Sequence, residues 1–313
     1  MNKEIPPAFL ERLRAILPVE PYGSVVESLK QKKPVSVRIN TLKATKKIIL
    51  EEFRDRKIAV EEFSWADEAL ALEGADTEAL GKTESLRTGK IYRQGLSSML
   101  PVIVLGPQPG ENILDMCAAP GSKTTQIAAR MSNQGTITAI EAVRGRYYKL
   151  RSVAQLMGAT NITFHLMDAR RFQARDGFFD RILVDAPCSS EGRFDASDPK
   201  TFAYWSPRKI KEMAHKQRGL LLSASRLLKP EGVLVYSTCT FAPEENEGVV
   251  DWFLRKTEGR MQVQDICLEG VSTYAAVKAW NGKAFDPQVK KCYRILPDKK
   301  MDAFFLARFK KNQ

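Results

Sequence analysis

Short apolar runs alternate with segments of helical spacing from about residue 90 onwards. The segments SKTTQIAARM and GRYYKLRSVAQLM place apolar residues on one helical face. The intervening runs have the length of buried strands, namely ENILDMC, GTITAIEA, NITFHLMDA, FDRILVDAP and GVLVYSTC. Strands that alternate with helices in this way predict a doubly wound parallel α/β sheet with helices on both of its faces.

Two further apolar runs follow near the carboxyl terminus. CYRILP and DAFFLARF are joined by the polar segment DKKM, which is typical of two antiparallel strands with a turn between them. We therefore expect a closing antiparallel hairpin at one edge of the sheet.

Residues 1–90 have a different pattern and predict a separate small α/β domain. A first helix is expected to end at Pro18 and Pro21, and its apolar face would consist of Phe9, Leu10, Leu13, Ile16 and Leu17. After it, VSVRINTLK alternates like a strand, KKIILEEFRDRK has helical spacing, and VEEFSWADEALALE indicates further extended structure. The sequence thus predicts a small domain at 1–90 and a larger domain at 91–313.

The chain is basic, with 49 Lys and Arg against 37 Asp and Glu and a formal net charge of +12. Such a charge suits a polyanionic partner such as nucleic acid, and the alternative is an ordinary basic protein. Within the small domain, basic residues cluster at 30–47 and acidic residues at 51–78. The basic side is predicted to contact RNA phosphates, whereas the alternative is a solvated face that the nearby acids balance.

Composition argues against several other classes of protein. No apolar stretch reaches the roughly 18 residues of a membrane span, and the amino-terminal segment lacks the apolar core of a signal peptide. We expect a cytoplasmic monomer. The five cysteines form no CxxC pair and there are only two histidines, so we expect neither a disulfide framework nor a metal site. With no GxSxG segment, a serine hydrolase is also disfavoured.

Acidic residues recur where four successive predicted strands end, at Asp115, Glu141, Asp168 and Asp185. The carboxyl ends of parallel strands meet at the edge where open α/β sheets bind ligands. Carboxylates there can accept hydrogen bonds from ribose hydroxyls, an amino acid ammonium group and an adenine amine. The sequence therefore predicts that a nucleoside-type ligand binds at this edge.

The turn after the first of these strands, DMCAAPGSKTTQ, combines small residues with Gly121. Backbone amides can therefore approach a ligand before the next helix begins. The turn contains neither GxGxxG nor GxxxxGK[ST], which disfavours a dinucleotide or ATP as the ligand.

Two cysteines follow strands of the same predicted sheet, Cys188 after ILVDAP and Cys239 after VLVYST. Both thiols should reach the ligand-binding rim, so we expect them to share one pocket and to attack or release a substrate there. For Cys267 and Cys292 we expect the ordinary role of a small buried hydrophobic residue.

Three segments together resemble a known family. DMCAAPGSKT, DAPCSSEG and YSTCTFAPEENE look like the signature segments of the S-adenosylmethionine-dependent RNA cytosine-5 methyltransferases of the NOL1/NOP2/Sun group. The resemblance covers nearly the whole chain, since SVRINTLK and YRQGLSSMLPVIVLGPQPGENILD also fit, and PPAFLERLRAIL is most similar to bacterial members that modify small-subunit ribosomal RNA. It implies a Rossmann-like methyltransferase sheet, S-adenosyl-L-methionine as cofactor, and RNA as partner, with ribosomal RNA first and transfer RNA second.

The resemblance also implies which residues hold the cofactor. Glu141 would bind the ribose hydroxyls with Arg146 nearby, Asp168 would meet the adenine, and Asp185 would lie between the cofactor and the target base. The methionine part would be wrapped by Cys117, Ala118, Ala119, Pro120, Gly121, Ser122 and Lys123.

In the same way it implies that Cys239 is the nucleophile, that Cys188 assists breakdown of a covalent intermediate, and that Lys123 and Asp185 hold the cytosine. A thiolate is needed because cytosine C5 becomes nucleophilic only after addition to C6. Asp185 could support that addition at N3, and Lys123 would favour a nearby thiolate. DNA cytosine-5 methyltransferases use a Pro-Cys thiol, which would select Cys188, but their surrounding motifs differ and we favour Cys239.

Several points stay open at the level of sequence. Tyr204 and Trp205 could stack on bases, although an aromatic pair before a helix is more often core. The acids of APEENE suit a helix start and are given no catalytic role. Asp298 and Ala303 depart from the family's usual histidine and glycine, which leaves any RNA contact of the end hairpin in doubt. A catalytically silent, cofactor-binding RNA module is the alternative function.

Overall fold

The computed structural model describes residues 4–73 and 77–313. Its amino-terminal part forms a small sheet in the order β2-β3-β1-β4, with antiparallel pairs throughout. The elements are α1 (Pro7–Ile16), α2 (Val19–Ser28), β1 (Ser36–Ile39), α3 (Lys46–Asp55), β2 (Ala59–Phe63), β3 (Ala66–Glu73), α4 (Thr77–Gly81), α5 (Glu84–Arg87) and β4 (Ile91–Arg93). The predicted strand and helix after residue 34 are present as β1 and α3. Strand β4 pairs with β1, so the small sheet extends past residue 90.

The two amino-terminal helices pack on the larger domain. The expectation that both prolines end the first helix is wrong for Pro21, which lies in the first turn of α2. Proline is tolerated there because the N–H groups of a first turn have no intrahelical partner. The apolar face of α1 packs on the larger domain, where the Phe9 ring lies 4.8 Å from that of Phe194 and 6.2 Å from that of Phe241.

The rest of the chain builds the larger sheet and its helices. The elements are α6 (Leu96–Leu105), β5 (Asn112–Asp115), α7 (Ser122–Arg130), β6 (Thr136–Glu141), α8 (Arg144–Met157), β7 (Ile162–Leu166), β8 (Phe179–Asp185), α9 (Pro207–Leu227), β9 (Leu228–Thr238), α10 (Glu247–Thr257), β10 (Met261–Gln264), β11 (Tyr274–Ala275), β12 (Ala279–Trp280), β13 (Lys283–Ala284), β14 (Tyr293–Ile295) and β15 (Phe304–Lys311).

Within the described residues this sheet has nine strands, with the main order β11-β14-β15-β9-β8-β5-β6-β7 and β10 also pairing with β15. Strands β5 to β9 are parallel to one another, and all five were predicted. The Rossmann-like fold is thereby confirmed. Helices cover both faces, since Ile182 and Val184 pack in one apolar cluster and Leu183, between them, packs in the other.

The predicted hairpin is present as β14 and β15, which pair antiparallel. Strand β15 lies between β14 and β9 and thus joins the hairpin to the parallel strands. Strand β11 lies next to β14, at the outer end of this strand order. The register aligns Phe305 with Thr238, which brings the start of β15 beside the end of β9. Strands β10 to β13 were not predicted, because each is only two to four residues long.

Candidate active site

Two adjoining cavities open at the carboxyl ends of the parallel strands. The larger, of about 520 Å³, extends from Glu141 past Asp168 towards Leu220. The smaller, of about 290 Å³, lies between the start of α6 and the start of β15. Both are lined by Cys117, Ala119, Arg146, Asp185, Ala186 and Cys239. A reagent in one cavity can therefore meet a substrate in the other at Asp185 and Cys239.

The turn between β5 and α7 forms part of both walls and depends on Gly121. This residue has φ of +111°, and a Cβ added there would lie 3.1 Å from Val153 Cγ1 and 3.2 Å from Leu150 Cδ1. A larger residue would thus be strained in both backbone and packing. Gly121 itself lines neither cavity; the absence of a side chain lets the turn pack closely against α8.

Asp115 has a structural position, in contrast to the expectation that all four strand-end acids face a ligand. It is buried, lines neither cavity, and accepts hydrogen bonds from Thr124 Oγ1 at 2.7 Å and from the Cys117 N–H at 3.4 Å. Burial raises the pKa of Asp115 to about 6. Its carboxyl group thus stabilises the turn between β5 and α7 from the side away from the cavities.

Glu141 and Asp168 do line the larger cavity. Glu141 is buried at the end of β6, where it accepts the Val143 N–H at 2.8 Å and lies 3.7 Å from Arg146 Nη1. Asp168 is more exposed and binds Arg170, whose hydrogen bonds lower the pKa of the Asp168 carboxyl. Arg146 Nη2 also donates to the Ala119 carbonyl at 2.7 Å, which fixes the turn to α8.

Lys123 and Asp185 form an ion pair at the junction of the cavities. Lys123 Nζ lies 2.7 Å from Asp185 Oδ2, donates to Ser98 Oγ at 2.9 Å, and sits 5.5 Å from the Phe304 ring centroid. Ser237 Oγ donates to the other carboxylate oxygen of Asp185 at 2.8 Å. The pair therefore has a fixed geometry on one side of the smaller cavity.

Cys188 and Cys239 are brought together, with their Sγ atoms 3.4 Å apart. The Cys239 N–H also points at Cys188 Sγ, at 3.4 Å. The hydrogen bond from Cys188 lowers the pKa of Cys239, and the charge of Arg193 lowers it further. Being the donor raises the pKa of Cys188, and burial adds to this effect. Of the two thiols, Cys239 is therefore the one that ionises more readily, and it is the one that lines both cavities.

Arg193 was not singled out from the sequence. The cation expected beside the thiol was Lys123, but Lys123 is paired with Asp185, and the positive charge that lowers the Cys239 pKa belongs to Arg193. The only signal in the sequence was its position five residues after Cys188. Asp302, two residues before β15, and Phe304, its first residue, also line the smaller cavity and were not predicted.

The comparisons with known proteins agree with this geometry. Residues 102–310 match the family described as 16S rRNA methyltransferase RsmB/F, and residues 5–77 match the ferredoxin-like domain of RsmF/B-like methyltransferases. The chain belongs to this family. The resemblance seen in the sequence is thus confirmed, including the relation to bacterial members.

Two curated relatives illustrate the range of the RsmB/F family. A tRNA (cytosine(49)-C(5))-methyltransferase of Pyrococcus abyssi is 39% identical over 281 residues, which cover 88% of each chain. The ribosomal RNA small subunit methyltransferase F of Pectobacterium carotovorum is 39% identical over 254 residues, which cover 79% of this chain and 52% of the relative. This chain thus spans about half the length of that bacterial relative.

Solved structures give the same result. A methyltransferase homolog protein from Pyrococcus horikoshii has a TM-score of 0.79 and 28% identity, with coverage of 98% of this chain and 100% of the other. As a member of the RsmB/F family, the chain is an S-adenosylmethionine-dependent RNA (cytosine-5) methyltransferase, as its sequence predicts.

The larger cavity fits the cofactor of this family. Its volume lies in the range of small-molecule sites, which is about 300–1,000 Å³. Carboxylates at Glu141, Asp168 and Asp185 offer acceptors for hydroxyl, amine and ammonium donors, and Met167 and Leu220 offer apolar surface for a ring. Within the described residues, no group of His, Cys, Asp and Glu could hold a metal ion, and no helix is long and apolar enough to cross a membrane.

The acids of APEENE connect the catalytic loops of this RsmB/F site, a role that the helix-start interpretation missed. Glu245 precedes α10 and accepts hydrogen bonds from the Ser189 N–H at 3.0 Å, from Gln217 Nε2 at 2.9 Å and from the Ser189 hydroxyl. Burial raises its pKa to about 8. Glu247 forms a fully buried ion pair with Arg294 at 2.6 Å. These contacts fix the loop after Cys188 to α9 and α10.

The structure also resolves the roles of the aromatic pair at 204–205 and of the two remaining cysteines. Trp205 is core, because its ring lies 5.9 Å from that of Phe9 and its Nε1 donates to Glu191 Oε1 at 2.7 Å, whereas Tyr204 is 90% exposed. Cys292 is buried as expected, but the same expectation is wrong for Cys267, which is exposed.

The two departures from the family pattern shape a turn beside the site. Asp298 Oδ1 accepts the N–H groups of Lys300 and Met301, each at 2.7 Å. Ala303 packs so closely on Gly192 that a Cβ added to Gly192 would lie 2.7 Å from the Ala303 Cβ. The Ala303 carbonyl oxygen would also lie 2.7 Å from that Cβ, so the methyl group and the backbone of Ala303 together require glycine on the loop that follows Cys188.

Proposed function

We propose that this enzyme transfers a methyl group from S-adenosylmethionine to C5 of a cytosine in structured RNA, through a covalent bond between Cys239 Sγ and C6. Ribosomal RNA is the first choice of substrate and transfer RNA the second. The observation that carries the proposal is the position of Cys239 at the junction of two cavities, 3.4 Å from a second thiol. One cavity would hold the cofactor and the other the base.

The larger cavity would hold S-adenosylmethionine, which supplies an electrophilic methyl group when bound. The turn from Cys117 to Lys123 would enclose its methionine part and Glu141 its ribose hydroxyls. Asp168 would accept from the adenine amine. Arg146 would support this arrangement by holding both Glu141 and the Ala119 carbonyl in place. These assignments follow the family pattern. The positions of Cys117, Ala119, Glu141, Arg146 and Asp168 along the larger cavity support them, whereas Ala118, Pro120, Ser122 and Lys123 line only the smaller cavity and Gly121 lines neither.

The smaller cavity would hold the target cytosine after it leaves its stack. The Cys239 thiolate adds its electron pair to C6, and the C5–C6 double bond shifts electron density towards C5. Asp185 and Lys123 face the polar edge of the base, where their ion pair can bind N3 and its neighbouring groups. A hydrogen bond at N3 stabilises the charge that the addition places on the ring.

Breakdown of the adduct requires loss of the C5 proton and departure of the Cys239 sulfur. Cys188 would assist the second event, because its Sγ lies 3.4 Å from that of Cys239 and its thiol can donate a hydrogen bond to the departing thiolate. Its raised pKa keeps Cys188 protonated for this purpose. The C5 proton would pass to water or to a base beside C5.

Cysteine variants test these roles separately. Cys239→Ala should abolish methylation, whereas Cys188→Ala should accumulate an RNA adduct that survives denaturing electrophoresis. Cys267→Ala is a matched control, since Cys267 is exposed and lines neither cavity. Full turnover by Cys239→Ala would refute the assignment of the nucleophile.

Bisulfite sequencing of RNA incubated with the enzyme and cofactor tests the reaction itself. New 5-methylcytosine in ribosomal RNA is the expected result, and the modified position would identify the substrate. Absence of new 5-methylcytosine in both ribosomal and transfer RNA would instead favour the silent RNA-binding module. The predicted cytoplasmic location and monomeric state stay predictions.

A further inference from the structure

The turn that follows Cys188 is fixed to the strand end that carries Cys239. The Gly192 N–H donates to the Cys239 carbonyl at 2.9 Å, and the Ala303 N–H donates to the Gly192 carbonyl at 3.3 Å. On the other side of the turn, Phe194 is buried against Phe9. The backbone of Arg193, between these two anchors, therefore has a defined position relative to Cys239.

The side chain of Arg193 lines the smaller cavity together with Cys239, Asp302 and Phe304. In the described part of the chain, its guanidinium group forms no ion pair and no side-chain hydrogen bond. Arg146, which lines the same cavity, is bound to Ala119 and Glu141. Lys123 is bound to Asp185. Within the described residues, Arg193 and Arg93 are thus the cations of this cavity without a close partner, and the charge of Arg193 is the one that lowers the pKa of Cys239.

An unmatched cation near a thiol favours the thiolate, which is the reactive form of cysteine. The hydrogen bond with Cys188 lowers the pKa of Cys239 most and the charge of Arg193 lowers it further, whereas burial and the Asp185 carboxylate act in the opposite direction. Because Lys123 is engaged with Asp185, the charge balance at the sulfur depends on Arg193.

We propose that Arg193 is a positioning residue of the reaction, which keeps Cys239 in the thiolate form before the cytosine arrives. The proposal rests on the proposed role of Cys239 as nucleophile. It adds a residue from the loop after Cys188 to those that act on Cys239. The close packing of Gly192 against Ala303 would serve this role, because it fixes the loop that carries Arg193.

The test measures the ionisation of Cys239 without RNA or cofactor. The full-length protein is treated with iodoacetamide between pH 5.5 and 10, and mass spectrometry follows alkylation of the peptide that contains Cys239. The pH midpoint of the alkylation rate reports the apparent pKa of the thiol. Arg193→Gln should move this midpoint upward and slow alkylation at pH 7 by roughly threefold, as expected for loss of one nearby, partly solvated charge.

Arg193→Lys should have a midpoint close to that of the wild type, because lysine retains the positive charge. Arg175→Gln removes another exposed arginine, which lines neither cavity, and should leave the midpoint unchanged. A wild-type midpoint in Arg193→Gln, or a shift that Arg193→Lys does not reverse, would overturn the proposal. Since Arg193 is exposed, a thermal melt of each variant is expected to match the wild type.

The result separates this inference from the proposed function. If Arg193→Gln shifts the midpoint but Cys239→Ala still methylates RNA, the assignment of the nucleophile fails and so does the positioning role. If Cys239 forms the adduct and the midpoint does not move, only the role of Arg193 fails.

Discussion

Individual residues of the site differ in how far the sequence predicts them. Cys188 and Cys239 could be found because each follows an apolar run with the length of a buried strand, in a segment where such runs alternate with helical patterns. Their 3.4 Å separation then follows from the parallel pairing of β8 with β9. Arg193 could not be found, because its effect depends on a turn that is held by contacts with β9 and β15. For Asp115 the sequence predicted a ligand contact that the structure does not show, because a position at the end of a strand does not tell which way the side chain faces.

Tyr204 offers a residue-scale test of RNA contact. Its ring is 90% exposed, and the neighbouring residues Phe202 and Trp205 anchor the segment in the core. A base that stacks on such a ring contributes about 1–3 kcal/mol. Tyr204→Ala should therefore raise the KM for RNA by roughly 5- to 150-fold, with little change in the KM for S-adenosylmethionine.

Tyr204→Phe provides the matched control, because phenylalanine keeps the aromatic face and loses only the hydroxyl group. It should retain most of the affinity for RNA. Equal KM values for RNA in wild type and Tyr204→Ala would show that the ring does not contact the substrate.

At the scale of elements, the start of α10 connects the two catalytic loops. Glu245 ties the loop after Cys188 to α9, and the buried pair of Glu247 with Arg294 ties α10 to β14. The sequence predicted a helix start from these acids, because the preference of acidic residues for a first helical turn is a local property. It could not indicate that these acids are buried, because their partners are distant in the chain.

Glu245 also predicts a pH dependence of stability. Its pKa is raised to about 8 in the folded protein, from an ordinary value of 4.5. Between these values the folded state retains a proton that the unfolded state has lost, so this group makes stability fall as the pH rises, by up to roughly 1.4 kcal/mol per pH unit. The contribution is fully present below the unfolded pKa and is lost as the pH approaches 8.

Glu245→Gln removes this titration and should flatten the free energy of unfolding between pH 5 and pH 8, as measured by urea denaturation. Glu11→Gln changes an exposed glutamate and should keep the wild-type slope. A Glu245→Gln variant whose slope matches that of the wild type would show that Glu245 does not hold the extra proton.

On the scale of the whole molecule, the small domain contributes less free positive charge than its sequence implies. Arg38 is fully buried and donates to Gln94 and Thr125. Lys43 Nζ donates to the Thr88 and Leu156 carbonyls, and Lys33 Nζ to those of Ser28 and Asp298. Several of the basic residues at 30–47 therefore join the small domain to the larger one. Composition could not reveal this, because it does not distinguish a cation that binds backbone carbonyls from one that faces solvent.

Lys32 is exposed and is the better candidate for phosphate contact. Lys32→Glu should weaken RNA binding and should lower the slope of log K against log salt concentration by about 1 or more, as expected for a lost phosphate contact. Lys256→Glu, at an exposed position near the end of α10, serves as the charge-matched control. If affinity and salt dependence are unchanged in Lys32→Glu, the basic side of the small domain is a solvated face.

The central claim is that Cys239 bonds to the target cytosine, and RNA that contains 5-azacytidine tests it most directly. At this base the C5–H group is replaced by nitrogen, so no proton can leave and the adduct persists. The cross-linked complex is digested, the peptide is identified by mass spectrometry, and the RNA is sequenced. The account predicts a nucleotide attached to Cys239; attachment to Cys188, or no attachment while the same protein methylates normal RNA, would contradict it.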